Sequence, residues 1–465
     1  MKPFLPIFLL IGAPGAWAIT PVTAPAKTPI AKTSATAPRV QIASRFERVE
    51  TLPNGFTLVS HLDRTSPRVA LSLLVRVGAS DETLQNAGWR RLYAGAVARG
   101  VPQGAGARIE TGDGQGLARL AESAGGEAGV SVSDDAIEFY AVGDSASAPQ
   151  LLDLLLALWA SPRLSDDDIA ASRARLAAQL DAQDLDLAAQ TGAALRSQEF
   201  IGEDGQPLAY GLNDIGTTAS LAFLTSERVR ELGARVARSG ATLSAVGDVD
   251  LDAVRARLSA LPAPTVTPAP APRFRAVAGG KPALVVRDLP IQTAWVFVSY
   301  PLGRVSAQDA PTLRLLSAAL ADTPDARLPR RLLNSSLVRG TPLALSLSSQ
   351  LVRRRDGSEL LISAQTAPSR VENVKNAILE EVSKLKNAPL SRSEFAAARD
   401  FARGDWALSR QALRDRAFLV GQNHTLSGSP DALWPRLLGE SSPARAQSLA
   451  KRKLGSYVVA LVMPG

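Results

Sequence analysis

Hydrophobic positions follow the same order twice along this chain. In the first half, Phe56-Thr57-Leu58-Val59-Ser60 and Val69-Ala70-Leu71-Ser72-Leu73-Leu74-Val75 are apolar, β-rich runs separated by a polar segment, and they predict two strands. Residues 86–99 suit a helix, Val130-Ser131-Val132 and 137–142 suit strands paired around Asp134-Asp135, and 151–160 suit a buried helix. Ser165 before Asp166-Asp167-Asp168 reads as an N-cap with carboxylates at the positive helix end, so that acid cluster is helix chemistry rather than a metal site. A long Ala/Leu-rich helix to about residue 189, further helices and a strand at 241–248 complete this half.

The second half repeats the sequence of elements. Strands are expected at 283–286 and 293–300, a helix at 307–320, strands at 343–352 and 360–364, helices at 369–385 and 391–419, and a closing strand at 458–462. Strands, then a helical block, then a closing strand occur twice. That order predicts an α+β fold of two homologous domains, each a mainly antiparallel sheet covered by helices.

Length and composition agree. A chain of 465 residues is too long for one core and suits two domains of roughly 200 residues each. Hydrophobic residues at 46% and charged residues at 21% exclude wholesale disorder. Two Ala/Pro-rich stretches cannot bury enough apolar surface to fold: a leader at 19–44 and a semi-stiff linker at 261–280, which divides the chain into 45–260 and 281–465. Met1-Lys2-Pro3, the apolar run 4–15 and Ala16-Trp17-Ala18 have the build of a signal peptide, 1–18, cleaved after Ala18. No later stretch offers the roughly 20 uncharged apolar residues of a membrane span. The expectation is a periplasmic or secreted protein without a transmembrane anchor.

Chemistry-bearing residues are sparse. There is no cysteine, hence no disulfide framework and no thiolate ligand. The two histidines, His61 and His424, cannot build a His-rich metal site, and no Gly-x-Ser-x-Gly elbow occurs. Gly112-Asp113-Gly114-Gln115-Gly116 lacks the spacing of a nucleotide loop and reads as a turn before a helix. Formal charge is +8, but the cations are scattered among 44 acidic residues, and an export signal argues against nucleic acid. The densest run, Arg353-Arg354-Arg355-Asp356-Gly357, ends in turn chemistry and is expected to be a solvated hairpin tip.

Several landmarks, in order, resemble the insulinase (pitrilysin) family of zinc metallopeptidases: Leu52-Pro53-Asn54-Gly55-Phe56, Val75 to Glu82, Leu120 to Glu127, Ser161-Pro162-Arg163-Leu164, Ala245-Val246-Gly247-Asp248-Val249, Pro290-Ile291-Gln292-Thr293 and Ala326-Arg327-Leu328. The resemblance covers about 45–465. It implies an inverted motif, His-x-x-Glu-His, whose imidazoles share one helix face and whose Glu activates water. Here that motif falls on Arg91-Leu92-Tyr93-Ala94-Gly95. Arg91 and Gly95 take the histidine positions and Ala94 the base; a guanidinium repels Zn²⁺, and Gly and Ala offer no ligand atom. The third ligand falls on Gln179 and its supporting Glu on Ser172, and 169–180 contains no Glu at all. Arg90 and Arg91, with Trp89 and Tyr93, are expected to fill the vacated cleft. The Arg and Tyr that position substrate in the family fall on Leu333 and Leu345. The resemblance therefore implies a pseudoenzyme without zinc or any cofactor, pairing as a heterodimer with a zinc-bearing homologue in periplasmic peptide degradation. Its ligands would be unfolded peptides. A stand-alone peptide-binding or chaperone-like protein is the alternative, and an active metallopeptidase with other ligands comes third.

Overall fold

A computed structural model describes residues 47–102, 115–183, 186–275, 284–289, 291–334 and 342–464. The first half runs β1 (Glu47–Thr51), β2 (Thr57–Leu62), β3 (Arg68–Val75), α1 (Trp89–Arg99), α2 (Gly116–Ser123), β4 (Gly126–Val132), β5 (Ile137–Asp144), α3 (Ala148–Ala160), α4 (Asp166–Gln183), α5 (Leu187–Glu199), α6 (Thr218–Phe223), α7 (Ser226–Val236), β6 (Ala241–Gly247) and α8 (Leu251–Ser259). The second half runs β7 (Leu284–Leu289), β8 (Ala294–Gly303), α9 (Ala310–Ser317), α10 (Arg327–Leu332), β9 (Ser346–Val352), β10 (Ser358–Thr366), α11 (Val371–Asn387), α12 (Arg392–Leu408), α13 (Leu413–Ser427), α14 (Trp434–Gly439), α15 (Pro443–Lys453) and β11 (Val458–Pro464). The expected signal peptide, the leader and most of the Gly112–Gly116 turn lie outside the described residues.

The two halves build the same sheet. The first has strand order β1-β2-β6-β3-β5-β4 and the second β7-β11-β8-β10-β9, so the second repeats the first without β1. In each, the closing strand inserts between the first and second strands of the repeat, parallel to one and antiparallel to the other. The predicted α+β class, with two helix-covered and mainly antiparallel sheets, is what the chain forms.

Both sheets are covered on both faces, which is why their central strands read as nearly continuous apolar runs. One face of the first sheet packs on α3, where Leu151, Leu155, Leu158 and Trp159 follow helical spacing into the core. Trp159 meets Phe56 edge to face at 5.5 Å and donates Nε1–H to the Val236 carbonyl at 3.0 Å. The equivalent face of the second sheet packs on α9, α11 and α15. Each opposite face is covered by a helix from the other half. Ala417 and Leu413 of α13 lie against Ala70, Val142 and Val246 of the first sheet, and Leu195 of α5 lies against Phe297, Val458, Ala460 and Val462 of the second. This reciprocal exchange makes residues 45–465 one unit.

Two expectations need correction. The single helix expected over 391–419 is two, α12 and α13, interrupted at 409–412. No Pro or Gly marks that break; Arg410 sets it by bonding Asp431 at 2.6 and 2.7 Å while its own carbonyl accepts from Arg416 at 2.9 Å. The second correction is the arginine run. Arg354 is only 6% exposed, and the hairpin tip 353–357 is wedged between the halves rather than solvated.

Candidate functional site

The positions that the resemblance assigns to a zinc site lie on α1 and α4, which pack against each other. Arg91 is half-exposed and donates from Nε to Asp214 at 2.9 Å, with Nη2 on the same carboxylate oxygen. Ala94 is buried. At Gly95 the helices touch: a Cβ added there would sit 2.2 Å from Ser172 Oγ and 3.3 Å from Ser172 Cβ. Ser172 Oγ donates to the Leu92 carbonyl at 3.0 Å, so its hydroxyl is committed to the helix contact. Gln179 faces solvent. The donor set does not fit a zinc ion: a guanidinium already paired with a carboxylate, two residues without donor atoms, and an amide turned outward. Among the described residues no three His, Cys, Asp or Glu side chains gather into a metal-holding group. Gly95→His is expected to cost about 1–3 kcal/mol by overpacking the α1–α4 contact. Urea unfolding would read this, and Ser172→Gly in the same chain should recover most of it.

The remaining residues of this region are structural. Trp89 and Tyr93 are buried in the first core, and Gly233 of α7 lies against the Tyr93 ring, 2.7 Å from where a Cβ would stand. Burial pushes the Tyr93 phenol well above its ordinary range. Arg90 is buried and pairs with Glu82, Nη2 to Oε2 at 3.3 Å, while Nη1 donates to the Ser133 carbonyl at 2.6 Å. Burial pushes the Glu82 carboxyl up against the pull of Arg90. Leu333 is half-buried against the second core, and Leu345 is 64% exposed with its N–H on the Gln365 carbonyl. Neither offers a polar group to a substrate. His61 and His424 are half-buried on β2 and α13, and burial lowers both imidazoles.

A polar network joins the two halves beside this region, and the sequence motifs gave no hint of it. Arg354 Nε pairs with Asp134 in the β4–β5 turn, and its Nη1 donates to Glu359 at 2.8 Å and to the Gly357 carbonyl at 3.2 Å. Its guanidinium lies 5.3 Å from the ring centres of both Phe200 and Tyr210. Gly357 admits this approach, because a Cβ there would meet the Tyr210 ring at 2.7 Å. Asp135 accepts from Tyr210 Oη at 2.6 Å and from the Arg355 N–H at 2.9 Å. On the first sheet Glu138 accepts from Ser72, Ser131 and Arg414, all within 2.6–2.7 Å. One signal was available: Glu138 interrupts the apolar strand 137–142, and such a buried charge requires a partner.

Residues 235–401 match the family described as Peptidase M16 inactive domain. No curated protein sequence matches the chain. Among solved structures, a protease from Helicobacter pylori is 17% identical with a TM-score of 0.76, over 90% of this chain and 99% of that one. A peptidase M16 inactive domain from Pseudomonas fluorescens is 17% identical with a TM-score of 0.74, over 90% and 98%. The periplasmic protease PqqL from Escherichia coli is 15% identical with a TM-score of 0.72, over 90% of this chain and 46% of that longer one. At these identities the structural likeness shows the fold. The resemblance to the insulinase family, now with an M16 inactive domain matched over residues 235–401, is borne out.

Proposed function

We propose that this chain is a catalytically silent insulinase-type subunit that pairs with a zinc-bearing homologue in the periplasm and helps it enclose and degrade unfolded peptides. Its two homologous domains are 45–260 and 281–465, and 1–18 is its signal peptide. The observation that carries the proposal is the α1–α4 contact. Arg91, Ala94, Gly95, Ser172 and Gln179 supply no ligand and no base, and the Gly95–Ser172 approach leaves no room for an imidazole. Leu333 and Leu345 likewise leave the substrate-positioning places without polar groups. Size supports pairing: the chain spans 46% of the periplasmic protease PqqL, so two chains of this length make a body of that size. The same fold also occurs in a chain of Complex III2 from Candida albicans, at 15% identity and a TM-score of 0.69.

The experiment is affinity purification from the source cells, with metal analysis and a peptidase assay on the chain alone and on what accompanies it. The expected result is a zinc-bearing homologue in the eluate, with no stoichiometric zinc and no cleavage by the isolated chain. A tight monomer that captures extended peptides without such a partner would favour the stand-alone peptide-binding role instead. About one zinc per chain with chelator-sensitive cleavage would overturn both.

A further inference from the structure

The exchange of helices brings a second buried carboxylate into the polar network, and the hydrogen count there is informative. Glu199, at the end of α5, reaches the second sheet where Ser299 of β8 and Glu359 of β10 stand side by side. Ser299 Oγ lies 2.6 Å from Glu199 Oε2 and 3.0 Å from Glu359 Oε2. A hydroxyl carries one proton, so it can serve only one of two ionised carboxylates. The other would face a lone pair at hydrogen-bond distance, in a site where Ser299, Glu199 and Glu359 are all buried. One carboxyl must therefore carry a proton.

The surrounding charges say which. Arg354 donates to Glu359 and also holds Asp134, so Glu359 has the cation and is the ionised member. Among the described residues no cation bonds Glu199, on which Arg354 acts only at a distance, and its Oε1 is buried without a hydrogen bond, a position an ionised oxygen does not tolerate. Arg196, on the same helix, acts on the neighbouring Asp134 and Glu359. From β11, α5 meets only apolar side chains, Val458, Ala460 and Val462. Burial first, and then the Glu359 charge, pushes the Glu199 carboxyl well above its ordinary range, while Arg354 holds Glu359 below its own against the effect of burial.

The first sheet shows what the arrangement replaces. There Ser72 pairs with Tyr140 and Leu74 with Glu138; in the second sheet Ser299 pairs with Leu361 and Pro301 with Glu359. The Ser–Glu diagonal thus recurs, and each time the helix from the other half brings a side chain to it. In the first sheet that side chain is Arg414, a fixed cation. In the second it is Glu199, which holds the sheet only while protonated.

We propose that a proton held by Glu199, beside the ionised Glu359, latches the first half onto the second sheet, and that its loss as pH rises releases α5. A carboxyl whose folded pKa lies above its unfolded value stabilises fully below the unfolded value and loses that contribution as pH rises through the folded one. The latch therefore closes in acid and loosens toward alkaline pH, in contrast to the Arg414 contact.

Amide hydrogen exchange on the full chain between pH 6 and 9, corrected for the intrinsic rate, tests this with α11 as the internal reference. Protection of α5 should fall by up to about tenfold per pH unit relative to α11. In Glu199→Gln the amide donates at every pH, so α5 protection should become independent of pH. A wild-type α5 whose protection follows α11 throughout overturns the proposal, even if the variant fails to fold. So does an unchanged pH dependence in Glu199→Gln.

Discussion

Arg354→Met should destabilise the protein by about 3–5 kcal/mol, the usual cost of removing one partner from a buried ion pair. The guanidinium faces both halves with a full charge on each side: Asp134 belongs to the first and Glu359 to the second. Without it two carboxylates remain near each other, and Glu359 loses the cation that keeps it ionised beside Glu199. Arg354→Lys should recover little, since an ammonium cannot span Asp134, Glu359 and the Gly357 carbonyl from one plane or lie flat against Phe200 and Tyr210. Urea midpoints at neutral pH measure the loss. Adding Glu359→Gln to Arg354→Met should give a total clearly below the sum of the two, because the second change removes the charge the first left stranded. Strict additivity would show that Arg354 does not hold the halves through Glu359.

Arg90→Met is the second large effect, again about 3–5 kcal/mol, and its pH dependence separates charge from packing. Arg90 and Glu82 are both almost fully buried, and Met fills the volume of the stem without the charge. Burial already holds the Glu82 carboxyl above its ordinary range, and removing Arg90 withdraws the main opposing influence. A carboxyl with a raised folded pKa costs stability as pH rises, so the penalty should be smallest in acid and grow toward neutral pH. Unfolding at a series of pH values reads this slope. A penalty that stays constant with pH would mean that the loss is one of packing around α1. The result also bears on the α1–α4 contact, because Arg90 anchors α1 to the β4–β5 turn through the Ser133 carbonyl.

Much of this was legible along the chain. The repeated order of strands and helices gave the class and the two-sheet plan, because binary patterning reports which face of an element is buried. The acidic start of α4 was read correctly as capping: Asp168 N–H bonds Ser165 Oγ at 3.1 Å, and the hydroxyl returns a bond to the Asp168 carboxylate at 2.6 Å. The arginine run was misread because turn chemistry says that a hairpin bends and not what it bends into. The break between α12 and α13 was invisible because its cause, the Arg410–Asp431 pair, spans 21 residues.

The vacated metal site divides along the same line. Residue identity alone says that Arg91, Ala94, Gly95 and Gln179, at the positions the resemblance assigns to zinc, are not zinc ligands of the family type in any fold. That the gap is closed, with Ser172 against Gly95 and Asp214 against Arg91, depends on how α1 meets α4 and a loop more than a hundred residues away. By itself the sequence determined what is periodic: the elements and the duplicated plan. The tertiary structure decided which half each helix covers. That choice is set by contacts such as Leu195 on Phe297 and Glu199 on Ser299, whose partners lie about a hundred residues apart, beyond the reach of any local pattern.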